Sequence, residues 1–155
     1  MKKSRDTMSP TSNAPADVTN SIRDVIETYR NGFLELDPSR LASIWDHEHH
    51  ALIYVAQEKA EPLYGWPAIE SYLRALPEHL EIISAMNLDQ LSIDLMGQMA
   101  IAFFIFRVSA KLRGRDGPHE PTGRVSMVLK NTPNGWRVIH YHESALAAHP
   151  VKTPT

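Results

Sequence analysis

The sequence predicts an α+β domain in which three helices precede a curved antiparallel sheet. Between residues 18 and 76 it carries three stretches with apolar residues three and four positions apart, the spacing of an amphipathic helix. After Pro77 that period is lost and strand-like runs follow, separated by the turn signals RGRDGP and TPNG. Apart from one short run, ALIYVA, the helical and strand patterns do not interleave, so the helices segregate to one face of the sheet.

The first helix is expected over Val18–Leu36. Val18, Ile22, Val25, Ile26, Tyr29 and Phe33 share one face, and Arg23, Asp24, Glu27 and Arg30 share the other. In DPSRLASIW, Asp37 is placed to cap and Pro38 suits a first helical position, which predicts a short helix to Trp45 that buries Leu41, Ile44 and Trp45. ALIYVA (51–56), rich in β-branched and aromatic residues, reads as a strand. The third helix, WPAIESYLRAL, has Pro67 near its start and is expected to stop at Pro77. LEIISAMNLDQLSIDLM reads as one long bent strand or as a strand pair, and MAIAFFIFRVSAKL is the clearest strand. GRVSMVLKN and WRVIHYHES flank TPNG as a hairpin.

The 155 residues, 43% hydrophobic, suffice for one domain with a core of its own, expected over 17–148. Residues 1–16 and 149–155 have little to bury and are expected to be flexible tails. The absence of cysteine rules out disulfides and thiolate metal sites. A net charge of −2 gives no reason to expect nucleic acid or an anionic membrane as partner. No window approaches the roughly 20 apolar residues that cross a bilayer, and the basic start lacks the apolar run of a signal peptide. A soluble, cytoplasmic protein is expected.

MAIAFFIFRVSAKL is apolar on both sides: Met99, Ile101, Phe103 and Ile105 on one, Ala100, Ala102, Phe104 and Phe106 on the other. Helices can cover only one of these, so the other face is expected to pack on a second subunit, giving a homodimer through the sheet. Arg107 interrupts the first of these faces. A guanidinium placed there needs a carboxylate partner or a bound anion. Arg124 shares a side with Ser126 and Val128, and two arginines facing one cavity would favour a carboxylate-bearing ligand. An internal ion pair, for instance to Glu143 or to an acidic helix residue, is the alternative for both, and Arg124, at a strand start, can also simply be exposed. Regular alternation along the last strand puts His140 and His142 on one side with Trp136 and Val138. Such a pair can supply metal ligands, a general base and its neighbour, or a structural contact to a backbone carbonyl. Asp94 and Glu143 are strand carboxylates that spacing alone does not aim inward.

The order helix, DP-initiated helix, strand, G-W-x-x-I-x-x-Y helix, then a meander ending W-x-V-x-H-x-H-x-S resembles the nuclear transport factor 2-like superfamily over Val18 to Ala147. It looks closest to the SnoaL-like and association-domain branches. GWRVIHYHESA in particular is similar to the terminal strand of the calcium/calmodulin-dependent kinase II association domain. The resemblance implies a cystatin-like, cone-shaped sheet whose three helices lie in the N-terminal half of the chain, with a pocket at the open end. It implies that His142 faces the pocket mouth as a proton donor or acceptor, with His140 beside it, and that Arg107 is a pocket arginine. It matches Tyr29 with the oxyanion-hole tyrosine of ketosteroid isomerases, a core tyrosine being the other reading. The isomerases' general base is not matched, because Ile53, Tyr54 and Val55 occupy that place, and their second acid is replaced near Ser126. Tyr54 and Trp45 are candidates for pocket walls or for core. Asp46–His50, DHEHH, looks metal-like, but adjacent ligands rarely converge on one ion, and no metal is expected. No cofactor is expected either, since no nucleotide-binding glycine loop is present. The function implied is a SnoaL-like binder of a small organic molecule, carbonyl or carboxylate, with acid–base isomerase, dehydratase or cyclase chemistry as the class to test. The alternative is a non-enzymatic oligomerisation or adaptor module.

Overall fold

The computed structural model describes residues 9–146. The expected tail at 149–155 and the first eight residues of the expected tail at 1–16 lie outside them. The elements are β1 (Thr11–Ser12), α1 (Ala16–Leu34), α2 (Pro38–Ser43), β2 (Ile53–Val55), β3 (Leu63–Tyr64), α3 (Trp66–His79), β4 (Leu80–Met96), β5 (Met99–Leu112), β6 (Thr122–Thr132) and β7 (Gly135–Ser144). They form an α+β fold with the helices on a curved, seven-stranded mixed sheet of order β1-β4-β5-β6-β7-β2-β3. The meander is antiparallel, while β1 runs parallel to β4 and β2 parallel to β7.

α1 forms where its apolar period predicts, with Ile22, Ile26 and Tyr29 buried. Asp37 caps α2 by accepting from the amides of Ser39 (3.0 Å) and Arg40 (3.2 Å), and Pro38 opens it. α3 does not stop at Pro77; it continues to His79. A proline so near the end removes only one helical hydrogen bond. Arg113 supplies donors for the terminal carbonyls, its Nε to Pro77 O at 2.8 Å and its amide to His79 O at 2.9 Å. The expected N-terminal tail is ordered from Thr11: β1 pairs with Ser92 and Ile93, and the Asn13 side chain holds the amide of Leu95 at 2.7 Å.

β4 is one strand, bent by register shifts between Leu80 and Ile82, Ile83 and Ala85, and Asp89 and Ser92, with Gln90 at φ 55°. These bulges curve the sheet. Ala100, Ala102 and Phe104 of β5 face the helices and are fully buried, and Tyr29 of α1 packs its ring 5.5 Å from that of Phe104. Burying each such large apolar side chain contributes about 1.5–3 kcal/mol.

A bulge in β7 decides what the cone contains. Leu129 faces Val138, but Val128 faces His140, so Ile139 is an extra residue in the strand. On one side of it Val138 bridges Trp45, its amide donating to Ile44 O (2.7 Å) and its carbonyl accepting from the Asp46 amide (3.1 Å). On the other, His140 begins the parallel pairing with Ile53 of β2. The bulge sits where the strand changes partner, and it reverses the alternation: Trp136, Val138, Tyr141 and Glu143 are buried, while His142 is exposed.

Candidate functional site

Between the helices and the concave side of the sheet lies a cavity of about 990 Å³. Its walls are largely apolar, among them Phe33 of α1, Leu76 of α3, Ile83 and Met86 of β4, and Phe106 and Val108 of β5. Gly123 makes room for one wall: a Cβ there would lie 2.3 Å from the Phe106 ring.

A chain of hydroxyls and carboxyls runs along the polar side of this cavity. The Tyr29 hydroxyl, from α1, lies 2.7 Å from that of Tyr141, on β7. Tyr141 donates to Glu143 Oε2 at 2.7 Å, and Glu143 Oε1 accepts the Gln57 amide at 3.0 Å. Glu58, in the loop after β2, lies near Glu143 and accepts from the Tyr72 hydroxyl of α3. Tyr54 of β2 packs its ring against that of Tyr72, centroids 5.0 Å apart. Tyr29, Tyr54, Glu58, Tyr72 and Glu143 line the cavity, and the fully buried Tyr141 bonds Tyr29 and Glu143 from behind.

Burial pushes the Glu143 carboxyl up to about 7, against the lowering effect of its Tyr141 and Gln57 donors, and the nearby Glu58 adds to the rise. The phenols of Tyr29, Tyr54, Tyr72 and Tyr141 are all raised, burial being the largest cause in each and the charge of Glu143 a further one. The tyrosines are therefore neutral donors and acceptors near pH 7, and Glu143 is the member that changes charge there. With Glu143 ionised, Tyr141 donates to it, so Tyr29 donates to Tyr141 and offers its oxygen to the cavity. With Glu143 protonated the order can reverse, and Tyr29 can then donate to a ligand.

The structure brings together only part of the expected site. Tyr29 and Tyr54 line the cavity as expected. Trp45 is buried behind Tyr54, ring centroids 5.8 Å apart, as core rather than wall. His140, His142, Arg107, Arg124 and Ser126 lie on the opposite, outer side of the sheet and none lines the cavity. For the histidines the cause is the Ile139 bulge. His140 faces Val128 and His142 faces Ser126 across the strand pair; burial, then His142, lowers the His140 imidazole. For Arg107 the cause is the choice of face: the side with Ile101, Phe103 and Ile105 turns out, because the smaller Ala100 and Ala102 lie under the helices. Arg107 stands 3.9 Å from Asp89, so of the two readings the internal pair is seen, with a partner that was not expected. Arg124 donates to Ser144 Oγ and to Ala145 O, both at 3.1 Å, and not to Glu143. In DHEHH, His47 stacks on Trp66 at 3.7 Å and its Nε2 meets Ala42 O. Among the described residues no three His, Asp or Glu side chains converge as a metal would require, and no helix is long and apolar enough to cross a membrane.

Glu58, Gln57, Tyr72 and Tyr141 were not anticipated. For Tyr141 and Glu143 a signal existed: Val138 and Ile139 are adjacent apolar residues in an otherwise alternating strand, which marks a bulge.

A helix-backed cone enclosing a cavity with a few convergent polar groups defines the nuclear transport factor 2-like class. Residues 22–148 match the SnoaL-like domain, and the chain belongs to that family. No curated protein matches it. Among solved structures it is similar to a candidate dehydratase of the nuclear transport factor 2-like family from Streptomyces avermitilis (TM-score 0.77, 15% identity, 86% of this chain and 100% of that one). A nuclear transport factor 2-like superfamily protein from Salmonella enterica serovar Typhimurium gives TM-score 0.77 and 24% identity over 92% of this chain and 100% of that one. A candidate calcium/calmodulin-dependent kinase II association domain from Thiobacillus denitrificans gives TM-score 0.63 and 15% identity over 79% and 93%. At these identities the likenesses show the fold.

Proposed function

We propose that this protein binds a small, largely apolar organic molecule in the cavity and exchanges a proton with it through Glu143, as an isomerase, dehydratase or cyclase does. The observation that carries this reading is a carboxyl buried in the wall of a cavity, titrating at about 7 and wired through Tyr141 to a second cavity-facing donor, Tyr29. A general base works best when its pKa is close to the working pH. A base that removes a proton next to a carbonyl leaves charge on the carbonyl oxygen, and a phenol is suited to receive it. The name of the Streptomyces relative agrees with this class of chemistry. Arg107 and Arg124 lie outside the cavity, so neither can clamp a carboxylate there, and this favours a carbonyl compound over a carboxylate as the ligand. The cytoplasm, where the pH is near the titration of Glu143, suits such a group.

A thermal-shift screen of small ketones and hydroxyketones tests the proposal, with Glu143→Gln as the comparison. At least one compound should stabilise the protein, and its turnover should vanish in Glu143→Gln. Ligands that stabilise wild type without any chemistry dependent on Glu143 would reduce the protein to a binder, and the absence of any stabilising ligand would end the reading.

We also propose a homodimer through the outer face of the sheet. Met99 and Ile101 are 41% and 38% exposed there, beside the half-buried Phe103, Ile105 and Val128. An exposed apolar strip on an otherwise polar surface supports this reading. Light scattering after size exclusion should give a dimer mass, and Ile101→Asp with Phe103→Asp should give a monomer. A monomer in wild type would refute the proposal.

A further inference from the structure

Resting on the ligand-binding reading above, the charge of the cavity narrows its ligand. The carboxylates outnumber the fixed cations of the lining: Glu58, Glu120 and Glu143 stand against one lysine, Lys59, and no arginine, with two histidines, His79 and His119, beside them. Lys59 does not neutralise any of the three glutamates, since among the described residues no ion pair joins it to a carboxylate within 4.0 Å. Instead its Nζ stands over the Tyr72 ring, 5.9 Å from the centroid. The protein's own ammonium thus already rests on an aromatic face at the mouth. Tyr54 and Tyr72, centroids 5.0 Å apart and planes at 49°, form a corner whose open side is Tyr72, beside Glu58, since Tyr54 is buried and stacked on Tyr141 at 4.5 Å.

Aromatic faces carry negative charge density and attract cations, more strongly where water is excluded. A carboxylate at the edge of such a corner adds a direct ionic partner. An anionic ligand would meet three glutamates, and a neutral one would leave this seat unused. We propose that the ligand of the cavity carries a protonated amine on an apolar body, the ammonium held by Glu58 and the face of Tyr72 in place of Lys59. The apolar body extends toward Ile83, Met86 and Phe106. Glu143, deeper in the wall, remains available for proton exchange at a neighbouring carbon or oxygen.

Three probes with one body and different charge test this: 4-phenylbutylamine, 4-phenylbutan-1-ol and 4-phenylbutanoate, titrated calorimetrically. At pH 8 the amine should bind at least tenfold more tightly than the alcohol, and the carboxylate least. Glu58→Gln should bring the amine down to the level of the alcohol and leave the alcohol unchanged. Lys59→Gln, which vacates the seat, should tighten the amine alone. From pH 6 to pH 8 the amine should tighten up to about tenfold as Glu143 ionises. The groups facing Glu143 are Tyr141 on its own strand, Tyr29 of α1, Tyr54 of β2, Glu58 of the loop after β2 and Tyr72 of α3, and the raised phenols stay neutral throughout. In Glu143→Gln this slope should be lost. Equal binding of amine and alcohol, preference for the carboxylate, or amine binding that survives Glu58→Gln would overturn the amine assignment while leaving the cavity as a ligand site. If none of the three probes and no ketone binds, both readings fall together.

Discussion

Replacing Glu143 by Gln should make this protein more stable at neutral and alkaline pH. In the unfolded chain the carboxyl loses its proton near 4.5, and in the fold near 7. Between those values the folded state holds a proton that the unfolded state has released, so stability falls as pH rises through the window. At about 1.4 kcal/mol for each tenfold, the full loss on going from below pH 4.5 to above pH 7 is about 3 kcal/mol. The group is only 8% exposed, so solvent screening removes little of this. Gln keeps one oxygen to accept the Gln57 amide, and its amide nitrogen can donate to the Tyr141 hydroxyl as the protonated acid would. Urea unfolding of wild type and Glu143→Gln at several pH values from 4 to 8 measures the difference, because every other titrating group is common to both. The two should be similar near pH 4 and should separate by up to about 3 kcal/mol by pH 8, wild type being the weaker. Parallel curves would refute the argument, since they would mean that Glu143 titrates alike folded and unfolded. A substitution that stabilises the fold while removing its proton-exchanging group is what a functional carboxyl held against its solvation preference should give.

Two further substitutions probe the same wall. Tyr141→Phe removes a donor from Glu143 and the partner of the buried Tyr29 hydroxyl; it should raise the midpoint of the Glu143 pH effect above 7 and destabilise the protein by about 1–3 kcal/mol in urea unfolding. Gly123→Ala puts a methyl group into the Phe106 ring; it should cost about 1–3 kcal/mol and weaken every cavity ligand, as calorimetry would show, because the ring can yield only into the cavity.

The parts of the fold that were legible in the sequence are those decided by neighbours along the chain. The face of α1, the Asp37 cap and the limits of β5 follow from local spacing and from a side chain reaching amides two and three residues away. The glutamate pair is different. Glu58 and Gln57 lie in a loop without periodicity, and what gives them a role is Glu143, 86 positions from Gln57. Tyr72 read as one more apolar residue of α3, and only the packing of that helix over the cone turns its hydroxyl toward Glu58.

The inversion of β7 has a local trace and a distant cause. Without an extra residue, strict alternation from Trp136 would carry His140 and His142 inward and leave Tyr141 and Glu143 outside, a basic cavity in place of an acidic one. The extra residue is needed because the strand is held at Val138 by the Ile44–Asp46 segment and from His140 onward by β2, two partners that do not share a register. Removing Ile139 tests this. With that residue deleted, plain alternation from Trp136 runs through Val138 to Tyr141 and Glu143, so the inward set is unchanged and only the bulge is lost. The deletion should therefore keep the pH-dependent stability of Glu143, while losing a buried isoleucine and straining one of the two edge contacts, at about 2–5 kcal/mol in urea unfolding. Should the variant fold but lose that pH dependence, the faces of β7 would be set by something other than the bulge, and the placement of Glu143 in the cavity would no longer be explained.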